Sequence, residues 1–136
     1  MTQEEKQLLL KDLCARLPYG VKAQYNNKKE IFGDVEQIEA SGDIDLSYYD
    51  EETERWKLCC TSIDNIKPYL RPISSMTEEE FKEYHSMLID VDNSGLMNQG
   101  LITKIVDWLD KKMFDHRNLI PKGLALKAKE GMYKTE

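Results

Sequence analysis

The segment whose spacing most resembles a ligand-binding motif runs from Asp90 to Gly95. Oxygen-bearing side chains stand at its first, third and fifth positions and glycine at its sixth, which is how a calcium-binding EF-hand loop begins. Such a loop also needs a bidentate carboxylate at its twelfth position. Here that position is Leu101, which has no oxygen to offer. The sequence therefore favours a polar turn between two helices over a cation site, and we expect no bound metal.

Nucleophilic catalysis would need a thiol or hydroxyl beside a base. The cysteines are Cys14, Cys59 and Cys60, and the histidines are His85 and His116. Adjacent cysteines on a strand point to opposite faces, so we expect one of the pair in the core and the other exposed. Zinc-type spacings, glycine-rich phosphate loops and a nucleophile elbow are all missing from the sequence. The sequence predicts no enzymatic activity and no cofactor.

Aromatic and charged residues supply a candidate interaction surface instead. Tyr48 and Tyr49 point to opposite faces of a strand, so one of them is a candidate for exposure. A second group lies in the segment 107–120, where aromatic side chains alternate with opposed charges. There, Asp115 and Arg117 either bind each other and fix a turn or face a partner. The residues that we select for this surface are Tyr49, Trp108, Asp115, His116 and Arg117.

Composition restricts the class of protein. The chain has 136 residues, of which 40% are hydrophobic and 32% charged. These fractions favour one folded domain over a disordered or membrane-embedded chain. The odd number of cysteines fits a reducing compartment, and the start of the sequence lacks the pattern of a signal peptide. We therefore expect a cytoplasmic protein that does not enter membranes.

The net charge of −6 argues against a protein held mainly to phosphates. The charge is uneven, because residues 77–93 carry six acids against one base, whereas residues 111–136 carry seven bases against three acids. Nucleic acid therefore stays open as a partner of the basic C-terminal segment.

Local patterns predict an α+β fold. Thr2 with Glu5, and Thr77 with Glu80, are spaced as capping boxes that begin helices. Between these helices, short alternating segments predict four or five strands, with an irregular turn at residues 63–66 before the last one. Short strands in close succession tend to curl, so we expect a small SH3-like β-barrel. The predicted organisation is an N-terminal docking helix (1–19), the barrel (20–72), a C-terminal helical pair packed on it (73–126) and a flexible tail (127–136).

Three stretches carry a resemblance to a known group. Residues 9–21, residues 66–72 followed by 74–79, and residues 107–124 resemble uncharacterised proteins of gut Bacteroidales and their phages and mobile elements. That resemblance implies a biological context and no activity.

Together these features predict a non-enzymatic interaction module of phage or mobile-element origin that binds a protein partner. Two alternatives remain: a nucleic-acid-associated small-barrel protein, and a small nucleotide-binding or host-defence-countering protein.

Overall fold

The protein combines helices with one mixed sheet, and the computed structural model describes residues 1–26, 28–93 and 99–133. The helices are α1 (Gln3–Arg16), α2 (Glu78–Asn93) and α3 (Gln99–Lys111). The strands are β1 (Lys22–Tyr25), β2 (Lys28–Ile38), β3 (Asp43–Asp50), β4 (Arg55–Ser62), β5 (Ile66–Leu70) and β6 (Leu126–Lys127). Short 3₁₀ turns occupy Leu17–Tyr19, Ile63–Asn65 and Ile73–Ser75.

The six strands form a single open sheet in the order β4-β3-β2-β1-β5-β6. All neighbouring strands are antiparallel except β5 and β6, which are parallel. The α+β class, the N-terminal helix and the two C-terminal helices are confirmed. The SH3-like barrel is not confirmed, because the sheet is not closed. The free edge of β5 pairs with β6, which comes from residues beyond the segment 20–72, while β4 stays at the opposite edge.

Both predicted capping boxes are present. Thr2 N–H donates to the Glu5 carboxylate at 2.9 Å, and Glu5 N–H donates to the Thr2 hydroxyl at 3.1 Å. Thr77 and Glu80 make the same reciprocal pair at the start of α2, at 3.0 and 3.2 Å. Each box satisfies two backbone donors that a helix start leaves free, so both helices begin where the sequence predicts.

One face of the sheet, which we call the inner face, holds the main core. Leu9 and Leu13 of α1 pack there against Ile44 and Leu46 of β3, and all four are buried. The segment that follows α3 adds Met113, Leu119, Leu124 and Ala125 to this core. A second apolar cluster joins α2, α3 and Phe114.

The expected flexible tail takes part in the sheet and its surroundings as far as Tyr133. Leu126 and Lys127 form β6, and Ala128 N–H donates to the Leu70 carbonyl at 2.7 Å. The Tyr133 hydroxyl accepts from Lys22 N–H at 2.9 Å and donates to the Tyr69 carbonyl at 2.7 Å. The segment is therefore attached to the sheet by the pairing of β6 with β5 and by the hydrogen bonds of the Tyr133 hydroxyl.

Gly33 marks a close approach between β2 and β3. A Cβ atom built at this position would overlap the backbone carbonyl of Ser47. The register of β2 with β3 shifts shortly after this glycine, between Val35 and Gln37.

We expect Gly33→Ala to lower the free energy of unfolding by about 2–3 kcal/mol, because two backbones must separate to admit the methyl group. Denaturant unfolding measures this. Gln37→Ala, on the same strand but exposed, is the matched control and should change stability by less than about 0.5 kcal/mol. Equal stability of the two variants would contradict the close approach.

Candidate functional site

Four of the five residues selected from the sequence lie near the junction of α1, α3 and the segment that follows α3. Asp115 is 7% exposed. Its carboxylate accepts from the backbone N–H groups of Leu119 at 2.8 Å and Ile120 at 2.9 Å. Asp115 therefore holds the turn that follows it, and it does so without Arg117.

Arg117 binds two other carboxylates. Its Nη1 donates to Asp12 at 2.7 Å and to Asp110 at 2.9 Å. Arg16 also donates two hydrogen bonds to Asp12, from Nε at 2.9 Å and from Nη2 at 3.0 Å. We call these two acids and two arginines the buried ion cluster. Asp12, Arg16 and Asp110 are at most 2% exposed, so the cluster fixes α1, α3 and the closing segment to one another.

His116 and Trp108 complete this region. His116 Nε2 lies 2.8 Å from Asp110 Oδ1. Trp108 stacks between Tyr84 of α2 and Phe114, with ring centroids 5.9 and 5.8 Å apart. The ring stack of Trp108 thus joins α2 and α3 to the closing segment, and His116 joins that segment to Asp110 of α3.

Hydrogen bonds and neighbouring positive charges keep Asp110 ionised. Burial by itself would raise the pKa of this carboxyl, but hydrogen bonds from His116 and Arg117 and the charges of both arginines outweigh it and hold the pKa at about 2. A carboxylate held this firmly is a poor general base, because its affinity for a proton is low.

A second buried ion pair lies where β5 leads into α2. Arg71 donates to both Glu80 oxygens, at 2.7 and 2.8 Å, and its guanidinium lies 4.2 Å from the centroid of the Phe114 ring. The hydrogen bonds from Arg71 lower the pKa of Glu80 to about 2 against the opposing effect of burial. The capping box of α2 is thereby tied to the sheet.

Tyr49, the fifth selected residue, lies elsewhere, on the face of the sheet opposite the core, which we call the outer face. Tyr49 is 46% exposed and its neighbour Trp56 is 68% exposed. Their rings meet edge to face with centroids 5.6 Å apart. This pair forms one wall of a groove of about 740 Å³. The groove is lined by Lys22, Ile31, Phe32, Gly33, Asp34, Tyr48, Tyr49, Asp50, Glu51, Glu52 and Trp56.

The groove is acidic. Its lining contains four carboxylates and one lysine. Two of the carboxylates have cationic partners, since Lys22 Nζ lies 2.8 Å from Asp34 and Lys57 Nζ lies 2.6 Å from Asp50. The hydrogen bond from Lys57 lowers the pKa of Asp50. Glu51 and Glu52 stand exposed in the turn between β3 and β4, at the rim. The groove therefore favours positively charged ligands.

The outer face already holds one cation of the chain itself. Lys129 Nζ lies 5.1 Å from the centroid of the Phe32 ring and 5.9 Å from that of Tyr69. Phe32 also lines the groove, so the aromatic face binds an ammonium group at one end and leaves the Tyr49–Trp56 end uncovered by that lysine.

The other sequence candidates were the adjacent cysteines, Cys59 and Cys60, and the calcium-loop-like motif Asp90–Gly95. Cys60 is exposed and Cys59 half-buried, and a hydrogen bond to Asp45 raises the pKa of the Cys60 thiol, which lowers its reactivity. Of the Asp90–Gly95 motif, the first four residues belong to α2, and Ser94 and Gly95 lie outside the described residues. Within the described ranges, no three histidine, cysteine or acidic side chains are grouped so as to hold a metal ion.

Sequence reasoning missed Asp12, Arg16 and Trp56. The first two stand four apart on α1, which is also the spacing of an ordinary surface pair. Trp56 lies in a segment where apolar and polar residues alternate, which is typical of a strand, but nothing local tells which face of that strand meets the core. The acidic residues Asp50, Glu51 and Glu52, which follow Tyr49 directly, were the sequence feature that could have indicated an acidic groove beside an aromatic ring.

Comparison of the chain with protein-family models, with curated proteins and with solved structures finds no match. None of the helices in the described part of the chain is long and apolar enough to cross a membrane. The resemblance to proteins of gut Bacteroidales and their mobile elements stays a prediction.

We expect Glu80→Gln to destabilise the protein by about 3–5 kcal/mol at neutral pH, because Arg71 loses its charged partner inside the protein. The folded-state pKa of about 2 lies below the ordinary value of 4.5. The stabilisation is therefore complete above that ordinary value and is lost as the pH falls through it towards 2. Denaturant unfolding across this range should show the difference from wild type shrinking in acid.

Glu79→Gln, on the exposed side of the same helical turn, is the matched control. It should leave both the stability at neutral pH and its decline in acid close to those of the wild type. A difference between Glu80→Gln and wild type that stays constant down to low pH would contradict the assigned pairing.

Proposed function

We propose that the chain is a non-enzymatic interaction module whose outer-face groove binds a positively charged segment of a protein partner. The observation that carries the proposal is the combination of exposed aromatic rings with the exposed acids Glu51 and Glu52 at one end of the groove. Aromatic faces attract ammonium and guanidinium groups, and nearby carboxylates add to that attraction. A lysine or arginine side chain satisfies both requirements.

The contact between Lys129 and Phe32 supports this interpretation. It is an intramolecular example of the recognition that we assign to the other end of the groove. The rings of Tyr49 and Trp56 offer a further platform, and Glu51 and Glu52 at the rim supply the charge. A partner would therefore contribute a second cation beside the one the chain provides.

Nucleic acid is the less favoured partner. Bases could stack on Trp56, but their phosphates would meet the carboxylates of the same groove. In the basic C-terminal segment, Arg117 is engaged by Asp12 and Asp110 and so is not presented to a phosphate. The nucleotide-binding alternative meets the same electrostatic objection at this groove.

We also retain a weaker form of the barrel interpretation. The first five strands follow the order β4-β3-β2-β1-β5, and a 3₁₀ turn precedes β5. The long β2 pairs with β1 on one side and β3 on the other, with a register shift in each ladder. These features support an opened SH3-like arrangement.

An origin in phages or mobile elements also remains part of the proposal, and it rests on the sequence resemblance alone.

The test is an NMR titration of the ¹⁵N-labelled protein with a short peptide of alternating arginine and glycine. We expect shift changes centred on Tyr49, Trp56 and the β3–β4 turn, weakening as salt is added. Trp56→Ala should weaken binding about tenfold, because a cation–π contact contributes roughly 0.5–2 kcal/mol and 1.4 kcal/mol is tenfold.

The double variant Glu51→Gln/Glu52→Gln should weaken binding several-fold, whereas Glu78→Gln/Glu79→Gln, an equal change of charge on α2, should not. Equal weakening by both pairs would mean nonspecific attraction to an acidic protein. Equal shifts with a peptide of alternating glutamate and glycine would also overturn the proposal. So would salt-sensitive binding of single-stranded DNA to residues 111–133 without any response to the arginine peptide.

A further inference from the structure

The strand β4 is an uncovered edge of the sheet. It pairs with β3 along its whole length, from Asp43 opposite Ser62 to Asp50 opposite Arg55. In the part of the chain that the structure describes, no strand lies on its other side. The backbone donors and acceptors on that side are therefore available to another strand.

Proteins prevent pairing at a strand edge with charged side chains, a short strand, proline or a bulge. The strand β4 carries two charged side chains, Arg55 and Lys57, and Lys57 is paired with Asp50 of β3. It has eight residues and no proline, and its register with β3 is unbroken. On its outer face, Trp56 is 68% exposed and Leu58 67% exposed. A long, regular edge with an apolar outer face is a template for strand addition.

We propose that β4 pairs antiparallel with β4 of a second copy of this chain, about a twofold axis at Leu58. For the two sheets to continue into one another, outer-face residues must lie opposite outer-face residues. The axis therefore passes through a residue position. An axis at Lys57 would place two ammonium groups opposite each other, which is unfavourable.

An axis at Leu58 avoids this conflict. It sets Leu58 against its own copy, Trp56 against Cys60, and Lys57 against Cys59. Bulky side chains then meet small ones and no like charges lie opposite. An axis at Cys59 would set Trp56 against Ser62 and bring fewer apolar atoms together. The alternation within the strand is thus complementary to itself, which favours a second copy over an unrelated strand.

The pairing and the proposed groove share Trp56, which contacts Tyr49 and is 68% exposed. The two proposals are distinguished at Leu58, which lies on the twofold axis and does not line the groove. Two grooves would then lie on the same face of one continuous sheet.

Sedimentation velocity of the purified chain over a wide range of concentrations tests the proposal. We expect a species of twice the chain mass of 15.9 kDa. Leu58→Lys should convert it to monomer, because two lysines would face each other across the axis. The same substitution at Phe81, which is 58% exposed on α2, is the matched control and should leave the dimer intact.

Disulfide trapping tests the register. In a variant with the three native cysteines replaced by serine, Leu58→Cys should form an intermolecular disulfide on mild oxidation, since opposed Cβ atoms lie about 5 Å apart. Arg55→Cys should not, because the two copies of position 55 would be about 20 Å apart along the strands.

A wild-type protein that is monomeric at every concentration would overturn the proposal. A dimer that survives Leu58→Lys, or is lost with Phe81→Lys, would place the interface elsewhere. Trapping at position 55 in preference to position 58 would also contradict it. None of these results depends on binding of the arginine peptide, so the two proposals fail separately.

Discussion

Two carboxylates inside the protein, Asp12 and Asp110, determine how its parts fit together. Removing them from water is costly, and only a close arrangement of positive donors offsets that cost. Arg16 and Arg117 supply those donors from α1 and from the segment after α3, and Arg16 also donates to the Phe114 carbonyl at 2.7 Å. Few other arrangements of these elements would satisfy all four charges at once. We infer that the cluster selects one docking of α1, α3 and the closing segment.

That docking explains why the two faces of the sheet differ. The buried leucines of α1, and Met113, Leu119 and Leu124 of the closing segment, lie on the inner face with Ile44 and Leu46. On the outer face, Lys129 lies over the rings of Phe32 and Tyr69. It covers the part of that face near β5 and β1. The part near β3 and β4 remains open, and the groove and the free edge both lie there.

The parts of the fold that could be predicted from sequence are those fixed by neighbours along the chain. The spacing of Thr77 and Glu80 is enough to begin a helix, and the alternation of Ile44 and Leu46 with polar residues is enough to put them on the same face of a strand. The partners of these residues were not predictable, because Glu80 binds Arg71 through a contact that local spacing does not encode. For the same reason Asp115 and Arg117, two apart in sequence, bind different groups. In β4, Trp56 and Leu58 alternate correctly, yet alternation does not say which face is inside.

The internal ion pairs also bear on how the surface acts. Three arginines are paired inside the protein with three acids, so the charges of these six side chains cancel. The arginines are Arg16, Arg71 and Arg117, and the acids are Asp12, Glu80 and Asp110. The net charge of −6 is therefore carried entirely by side chains outside these pairs. Part of it lies in the turn between β3 and β4, beside the exposed rings. The fourth arginine of the chain, Arg55, lies opposite Asp50 at the start of β4, and Lys57 of the same strand is paired with Asp50. Both basic residues are at the Asp50 end of the turn, so the partner that we propose would bring its cation to Glu51 and Glu52.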